Sequence, residues 1–258
     1  MKTLAPVILL AMFWGSADAA LKTEVIEYRH GDAVLEGYLA YDDAIVGKRP
    51  GVVVVHEWWG QNDYVKKRAE QLARMGYIAF ALDMYGKGKL TKDPKQAGEW
   101  SAVFSNDRKF GRARAAAGLA VLKNHPLADA SRVAAIGYCF GGTTVLEMAR
   151  GGADLAGVAS FHGGLDTPGP GKPGAVKAKV LVLAGGDDPF VPPAQVTAFE
   201  EEMSKAGADW QVHVYGGAAH SFTNPEADGY GLKGAAYNER ADRRSWEAMR
   251  VFFAEIFK

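Results

Sequence analysis

The sequence predicts an α/β protein: a mostly parallel, twisted sheet with helices on both faces. Three observations carry this. Short segments such as Gly51-Val52-Val53-Val54-Val55 are apolar throughout, as strands buried on both faces are. Helical patterns separate these segments, which makes βαβ units, and the crossover rule then makes the strands parallel. The 258 residues suit a single domain of this class.

The elements follow in order. Lys2, the apolar run Leu4 to Trp14 and the small residues Ala17 and Ala19 have the layout of a secretory signal peptide. Residues 1–19 are therefore expected to be a cleaved leader, and 20–258 an exported domain that is periplasmic or secreted. The leader run is short for a bilayer span and no later segment is a candidate, so no stable membrane insertion is expected after cleavage. Val25–Tyr28 and Val34–Tyr41 alternate about Arg29-His30-Gly31-Asp32 and read as a hairpin. Buried strands are expected at Gly51–Val55, Tyr77–Leu82, Val133–Tyr138, Ala156–Phe161, Val180–Ala184 and Trp210–Tyr215. Helices are expected from Asn62 or Asp63 to Met75, where Gly76 stops the turn, and over Pro94–Ser105 and Asp107–Lys123. Others follow the third strand to Arg150, cover Pro193–Lys205, and close the chain over Asn238–Phe257. There is no internal repeat or interdomain linker.

Composition excludes several functions. Thirty Lys and Arg balance thirty Asp and Glu, so the basic excess of a nucleic-acid binder is absent. Cys139 is the single cysteine, which rules out an intramolecular disulfide and any cysteine-cluster metal site. His56-Glu57 and Asp187-Asp188 are adjacent pairs whose side chains diverge on an extended chain, so neither a metal nor a cofactor is expected.

In an open parallel sheet the site lies beyond the carboxyl ends of the strands. Gly137-Tyr138-Cys139-Phe140-Gly141 sits between a strand and a helix and fits the Gly-x-Ser-x-Gly nucleophile elbow, with cysteine for serine. Asp187-Asp188 follows the fifth strand and His220 the sixth, giving the chain order nucleophile, acid, histidine. A histidine can take the thiol proton, and a carboxylate can fix the imidazole tautomer. His30, His125 and His213 lack such a context and read as structural or solvent-facing.

On Gly137-Tyr138-Cys139-Phe140-Gly141-Gly142, His56-Glu57-Trp58-Trp59-Gly60, Asp188-Pro189-Phe190-Val191-Pro192 and His220-Ser221-Phe222, the chain resembles the dienelactone hydrolase family, carboxymethylenebutenolidase-like proteins. The resemblance runs from about Tyr28 to Phe257 and, with the leader, points to an exported subgroup. It implies an α/β-hydrolase fold and a Cys139–His220–Asp188 triad cleaving an ester or lactone. Asp187 is then a turn residue or a support for the triad. Glu57 matches the family glutamate that faces the cysteine and controls its protonation. The backbone N–H groups of Trp58 and Phe140 are expected to form the oxyanion hole.

Trp59, Tyr85, Lys87, His162 and Asn224 are the candidate substrate contacts. Lys87 and Asn224 stand where members that cleave dienelactones carry arginines, so the resemblance does not carry that substrate over. The expected partner is a small-molecule ester or lactone. Two other functions fit the sequence: a ligand-binding protein that has lost the chemistry, and a redox-active thiol protein.

Overall fold

The computed structural model describes residues 21–258; the leader read over residues 1–19 lies outside the described residues. Eight strands form one sheet: β1 (Leu21–His30), β2 (Ala33–Asp42), β3 (Arg49–Val55), β4 (Ile78–Leu82), β5 (Ala128–Tyr138), β6 (Gly157–Phe161), β7 (Lys179–Gly185) and β8 (Trp210–Tyr215). Their spatial order is β1-β2-β4-β3-β5-β6-β7-β8. β1, β2 and β4 pair antiparallel, and every pairing from β4 across to β8 is parallel. The opening hairpin turns on Gly31 and Asp32, with Gly31 at φ +60°, a left-handed conformation that favours glycine.

Side chains alternate across the sheet and feed two cores. Val53, Val55, Phe80 and Leu82 point to one face, where Phe104, Leu119, Val145 and Phe199 cover them. These come from α2 (Pro94–Asn106), α3 (Arg108–Lys123), α4 (Phe140–Arg150) and α5 (Pro193–Ala206). Val52, Val54, Ala79 and Ala81 point to the other face, against Val65 and Leu72 of α1 (Asp63–Arg74) and Met249, Phe252 and Phe253 of α6 (Glu239–Ile256). No helix among the described residues is long and apolar enough to cross a membrane.

Local chemistry sets the helix starts. The side chains of Asn62, Asp93, Asp107 and Asn238 accept hydrogen bonds from the first free N–H groups of α1, α2, α3 and α6. Pro94 and Pro193 open α2 and α5, where the missing N–H costs nothing. Two strands depart from the sequence reading. β8, expected to be buried, is the edge of the sheet, pairs only with β7 and is partly exposed along its length. β5 begins at Ala128, not Val133, because Ala128 and Asp129 pair with Arg49 and Pro50 ahead of a register shift at Pro50/Gly51. The polar stretch Asp129–Arg132 breaks the apolar pattern that the reading relied on.

The end of β5 is the tightest junction in the fold. Cys139 caps α4 at φ 53° and ψ −116°. A Cβ on Gly137 would lie 2.0 Å from the Gly141 carbonyl oxygen, and one on Gly141 would lie 2.2 Å from the Val55 carbonyl oxygen. The two glycines therefore let α4 start directly on the ends of β5 and β3. Gly137→Ala is expected to destabilise the protein by about 3 kcal/mol, the upper range for overpacking a rigid site. Gly216→Ala, which meets nothing within 4 Å, is expected to stay within about 0.5 kcal/mol of wild type. Urea unfolding midpoints at unchanged slope measure both.

Candidate active site

Every strand from β3 to β8 ends at one rim, and the polar residues that follow gather there. Cys139 is half-buried, and its backbone N–H donates to the Phe161 carbonyl (3.0 Å) and to Nδ1 of His162 (3.1 Å). Among the described residues, the N–H groups of Trp58 and Phe140 donate to no protein acceptor, and both residues line the cavity that holds the Cys139 thiol. Two free donors beside a nucleophile are what an oxyanion requires.

His220 faces the Cys139 thiol and engages Oδ2 of Asp188 through Nδ1 at 2.8 Å. Asp188 is fully buried, and its Oδ1 accepts the Phe190 N–H at 2.8 Å, which fixes the carboxylate plane. Burial presses the His220 imidazole towards neutrality. The Cys139 sulfur and the Asp188 carboxylate outweigh it, and the group is pushed up to about 10. Asp187, one residue earlier, is exposed, and its backbone N–H donates to the Ala218 carbonyl. The three predicted triad residues therefore meet as a thiol, an imidazole and a carboxylate in series.

Glu57 lies deeper. Its Oε1 accepts from Oγ of Ser221 at 2.9 Å and its Oε2 from Nδ2 of Asn224 at 2.6 Å. Burial pushes its carboxyl up against the pull of those two donors. Among the described residues no hydrogen bond joins Glu57 to Cys139, so both oxygens are committed to the segment that follows His220. His56 fixes this loop from beneath. Its Nε2 accepts the Met84 N–H, so Nδ1 carries the proton and donates to the Glu57 carbonyl. Burial keeps it neutral.

The candidate substrate contacts do not line this cavity, and each has a different place. Lys87 is exposed and pairs with Glu27 and Glu36 on the opening hairpin, 2.7 and 3.6 Å away. Asn224 is fully buried and spends its amide on Glu57. His162 is buried behind the elbow: Nδ1 accepts from Cys139, so Nε2 carries the proton to Oγ1 of Thr223 at 2.7 Å. Burial and the neighbouring His220 hold His162 well below the usual imidazole range. Trp59 is buried and stacks on Tyr230 outside the cavity. Tyr85 is a buried support whose hydroxyl donates to the Trp58 carbonyl and whose ring packs on Phe140.

The cavity beside Cys139 has a volume of about 370 Å3. Trp58, Phe140, Phe190 and Leu232 form its apolar walls. Ser101, Ser105, Arg108, Thr143 and Asp166 supply polar groups, and of these Ser101, Ser105 and Arg108 lie on α2 and α3, away from any strand end. Position after a strand was the signal the sequence offered, and it does not reach the α2–α3 junction. Among the described residues, no cluster of three or more His, Cys, Asp or Glu side chains is arranged to hold a metal ion.

A raised imidazole favours the folded protein while protonated. That contribution is complete below the ordinary histidine range near 6.5 and is lost as the pH climbs towards 10. Imidazole resonances of His220 should thus report the charged form at about pH 8, where an ordinary histidine is neutral. Cys139→Ser should lower the His220 midpoint in the same titration. An unchanged midpoint would mean that the sulfur does not hold the proton.

Comparisons with known proteins place this arrangement. The chain is 40% identical to the dienelactone hydrolase-like promiscuous phosphotriesterase from metagenomic libraries, with a TM-score of 0.88, covering 92% of this chain and 99% of that one. It is 43% identical to the solved structure of m3DLH, again with a TM-score of 0.88, over 93% of this chain and 100% of that one. A carboxymethylenebutenolidase-like protein of Aquifex aeolicus (strain VF5) is 25% identical over 244 residues, 91% of this chain and 99% of that protein. The model of the dienelactone hydrolase family matches residues 35–257, and with these relatives it establishes that the chain belongs to that family of ester and lactone hydrolases.

Proposed function

We propose that the protein cleaves a small carboxylic ester or lactone through an acyl-cysteine intermediate. The observation that carries this reading is the series Cys139–His220–Asp188 at the wall of a cavity that also presents two unused backbone N–H groups. His220 takes the thiol proton, and the Cys139 sulfur attacks the carbonyl carbon. The oxyanion is held by the N–H groups of Trp58 and Phe140. Collapse expels the leaving oxygen, which takes the proton from His220. His220 then removes a proton from water, the hydroxide attacks the thioester, and the acid leaves as the thiol is regenerated. Asp188 holds the imidazole in the tautomer these transfers need.

Glu57 is the proposed guard of the thiol. Its carboxyl is buried, bound to Ser221 and Asn224, and close enough to His220 for their charges to interact. The leader over residues 1–19 supports export, and mass spectrometry of protein recovered from outside the cytoplasm is expected to give a chain starting at Ala20.

Turnover of a panel of aryl esters, lactones and a phosphotriester tests the function; the last is included because one relative carries that activity in its name. Cys139→Ala should lower kcat by about 1000-fold or more on whichever of them is cleaved. Iodoacetamide should abolish the activity. Wild-type turnover by Cys139→Ala would end the acyl-cysteine reading. Ligand binding without turnover, undiminished in Cys139→Ser and His220→Ala, would point instead to a binding protein.

A further inference from the structure

We infer that Arg108 holds an anionic group on the acyl half of the substrate, so that monoesters of dicarboxylic acids are preferred over neutral esters. The inference rests on the proposed function for the direction of the leaving group, and on three features of the cavity.

The first is that the Arg108 guanidinium has no partner. Among the described residues it makes no hydrogen bond or ion pair, and its Nε is buried without an acceptor. Other arginines drawn into the protein have partners, although the Nε of Arg49 is also buried without an acceptor. Arg49 donates to the carbonyls of Asp42 and Ile45, and Arg68 to the Thr223 carbonyl and Asp242. Arg112 and Arg150 reach Glu147, and Arg114 reaches the Met84 carbonyl. Removing part of a charge from water without a partner is costly. An anion brought by a ligand would supply one, and a guanidinium can bind a carboxylate with two parallel hydrogen bonds.

The second is the identity of the neighbours. Arg108 lines the cavity with the hydroxyl residues Ser101 and Ser105 of α2 and Thr143 of α4. Glu147, which shares a small crevice with Arg108, is taken by Arg112, Arg150 and Thr167. Asp166 is the acidic side chain in the cavity lining; it is exposed, where water screens it.

The third is direction. α3 packs on β3, β4 and β5, so Arg108 at its start lies on the Trp58 and Phe140 side of Cys139. His220 follows β8, beyond β6 and β7 on the other side. A group that protonates the leaving oxygen sits at the leaving half of the ester. The leaving half therefore points to His220, Phe190 and Leu232, and the acyl half runs towards Arg108. A carboxylate there belongs to the acid being released, not to the alcohol.

The 4-nitrophenyl monoesters of succinic, glutaric and adipic acids, set against 4-nitrophenyl hexanoate, read this directly. After subtraction of spontaneous hydrolysis, at least one monoester should be cleaved with higher kcat/KM than the hexanoate. Arg108→Gln should reduce that ratio about 10-fold or more, the size of one hydrogen-bonded charge contact, with Arg108→Lys intermediate. Raising the salt concentration should narrow the ratio in Arg108→Lys more than in wild type, since a lysine offers a point charge without the two-pronged geometry. A ratio near one in wild type, or one that survives Arg108→Gln in a folded protein, overturns the proposal while leaving the hydrolase reading intact. Calorimetry with glutarate and adipate on Cys139→Ala separates the two the other way. Binding of the free diacid that Arg108→Gln weakens at least 10-fold upholds the anion site even if no ester is turned over, and absence of such binding counts against it.

Discussion

The geometry of this site depends on one segment, His220 to Asn224, being held at several points at once. His220 binds Asp188 at the end of β7. Ser221 and Asn224 take the two oxygens of Glu57 at the end of β3. Thr223 binds His162 behind the elbow and the Tyr64 hydroxyl on α1, and its carbonyl accepts from Arg68. One short stretch thus joins the ends of β3, β6 and β7 and the helix on the opposite face. An imidazole on a free loop would lose rotamer and backbone freedom each time it met the sulfur. Here that entropy is lost once, on folding, and the imidazole waits beside the thiol.

The same segment stabilises a strained backbone. Cys139, His162 and Ser221 are the residues other than glycine with positive φ among those described, and all three lie at the site. Each such conformation costs of order 1–3 kcal/mol and persists only where surrounding contacts over-determine it. The contacts are mutual: His162 accepts from the Cys139 N–H, and Ser221 donates to Glu57. The strain is also useful. At Cys139 it starts α4 at Phe140, whose N–H, being the first of the helix, has no helix acceptor and stays free beside the cavity. The close approach of Gly141 to the Val55 carbonyl brings the Trp58 loop alongside, so both free donors are set by backbone and no side chain has to be placed for them.

This division explains what could be read in the sequence. Strands betray themselves by apolar runs, and residues directly after them fall at the sheet's carboxyl rim whatever the loops do. Cys139, the pair Asp187-Asp188 and His220 were legible for that reason, while the choice of Asp188 and of the Trp58 and Phe140 N–H groups came from the family resemblance. Lys87, Trp59, Tyr85, His162 and Asn224 satisfy the same rule of position, yet they point elsewhere. Position along the chain does not fix direction, and each found another partner: Glu27 for Lys87, Tyr230 for Trp59, the Trp58 carbonyl for Tyr85, Thr223 for His162 and Glu57 for Asn224. Conversely Ser101, Ser105 and Arg108 belong to helices that cross over the sheet. Their arrival at the cavity depends on the packing of α2 and α3, which no local pattern encodes.

The charges at the site also account for the timing of proton transfer in the proposed reaction. His220 is a buried cation shared by two acceptors of positive charge, the Cys139 sulfur and the Asp188 carboxylate. His162, whose ring centroid lies 5.3 Å away, is kept neutral and adds no competing cation. Once His220 has taken the thiol proton, the sulfur beside it helps to hold that proton on the imidazole. Once the sulfur is acylated its charge is gone, and one of the two attractions that kept the imidazole protonated goes with it. His220 therefore becomes a stronger acid as the leaving oxygen needs a proton, and a free base when water must be activated. A site with a second permanent anion hydrogen-bonded to His220 would lose that change. The attachment of Glu57 to Ser221 and Asn224, away from the imidazole and the sulfur, preserves it.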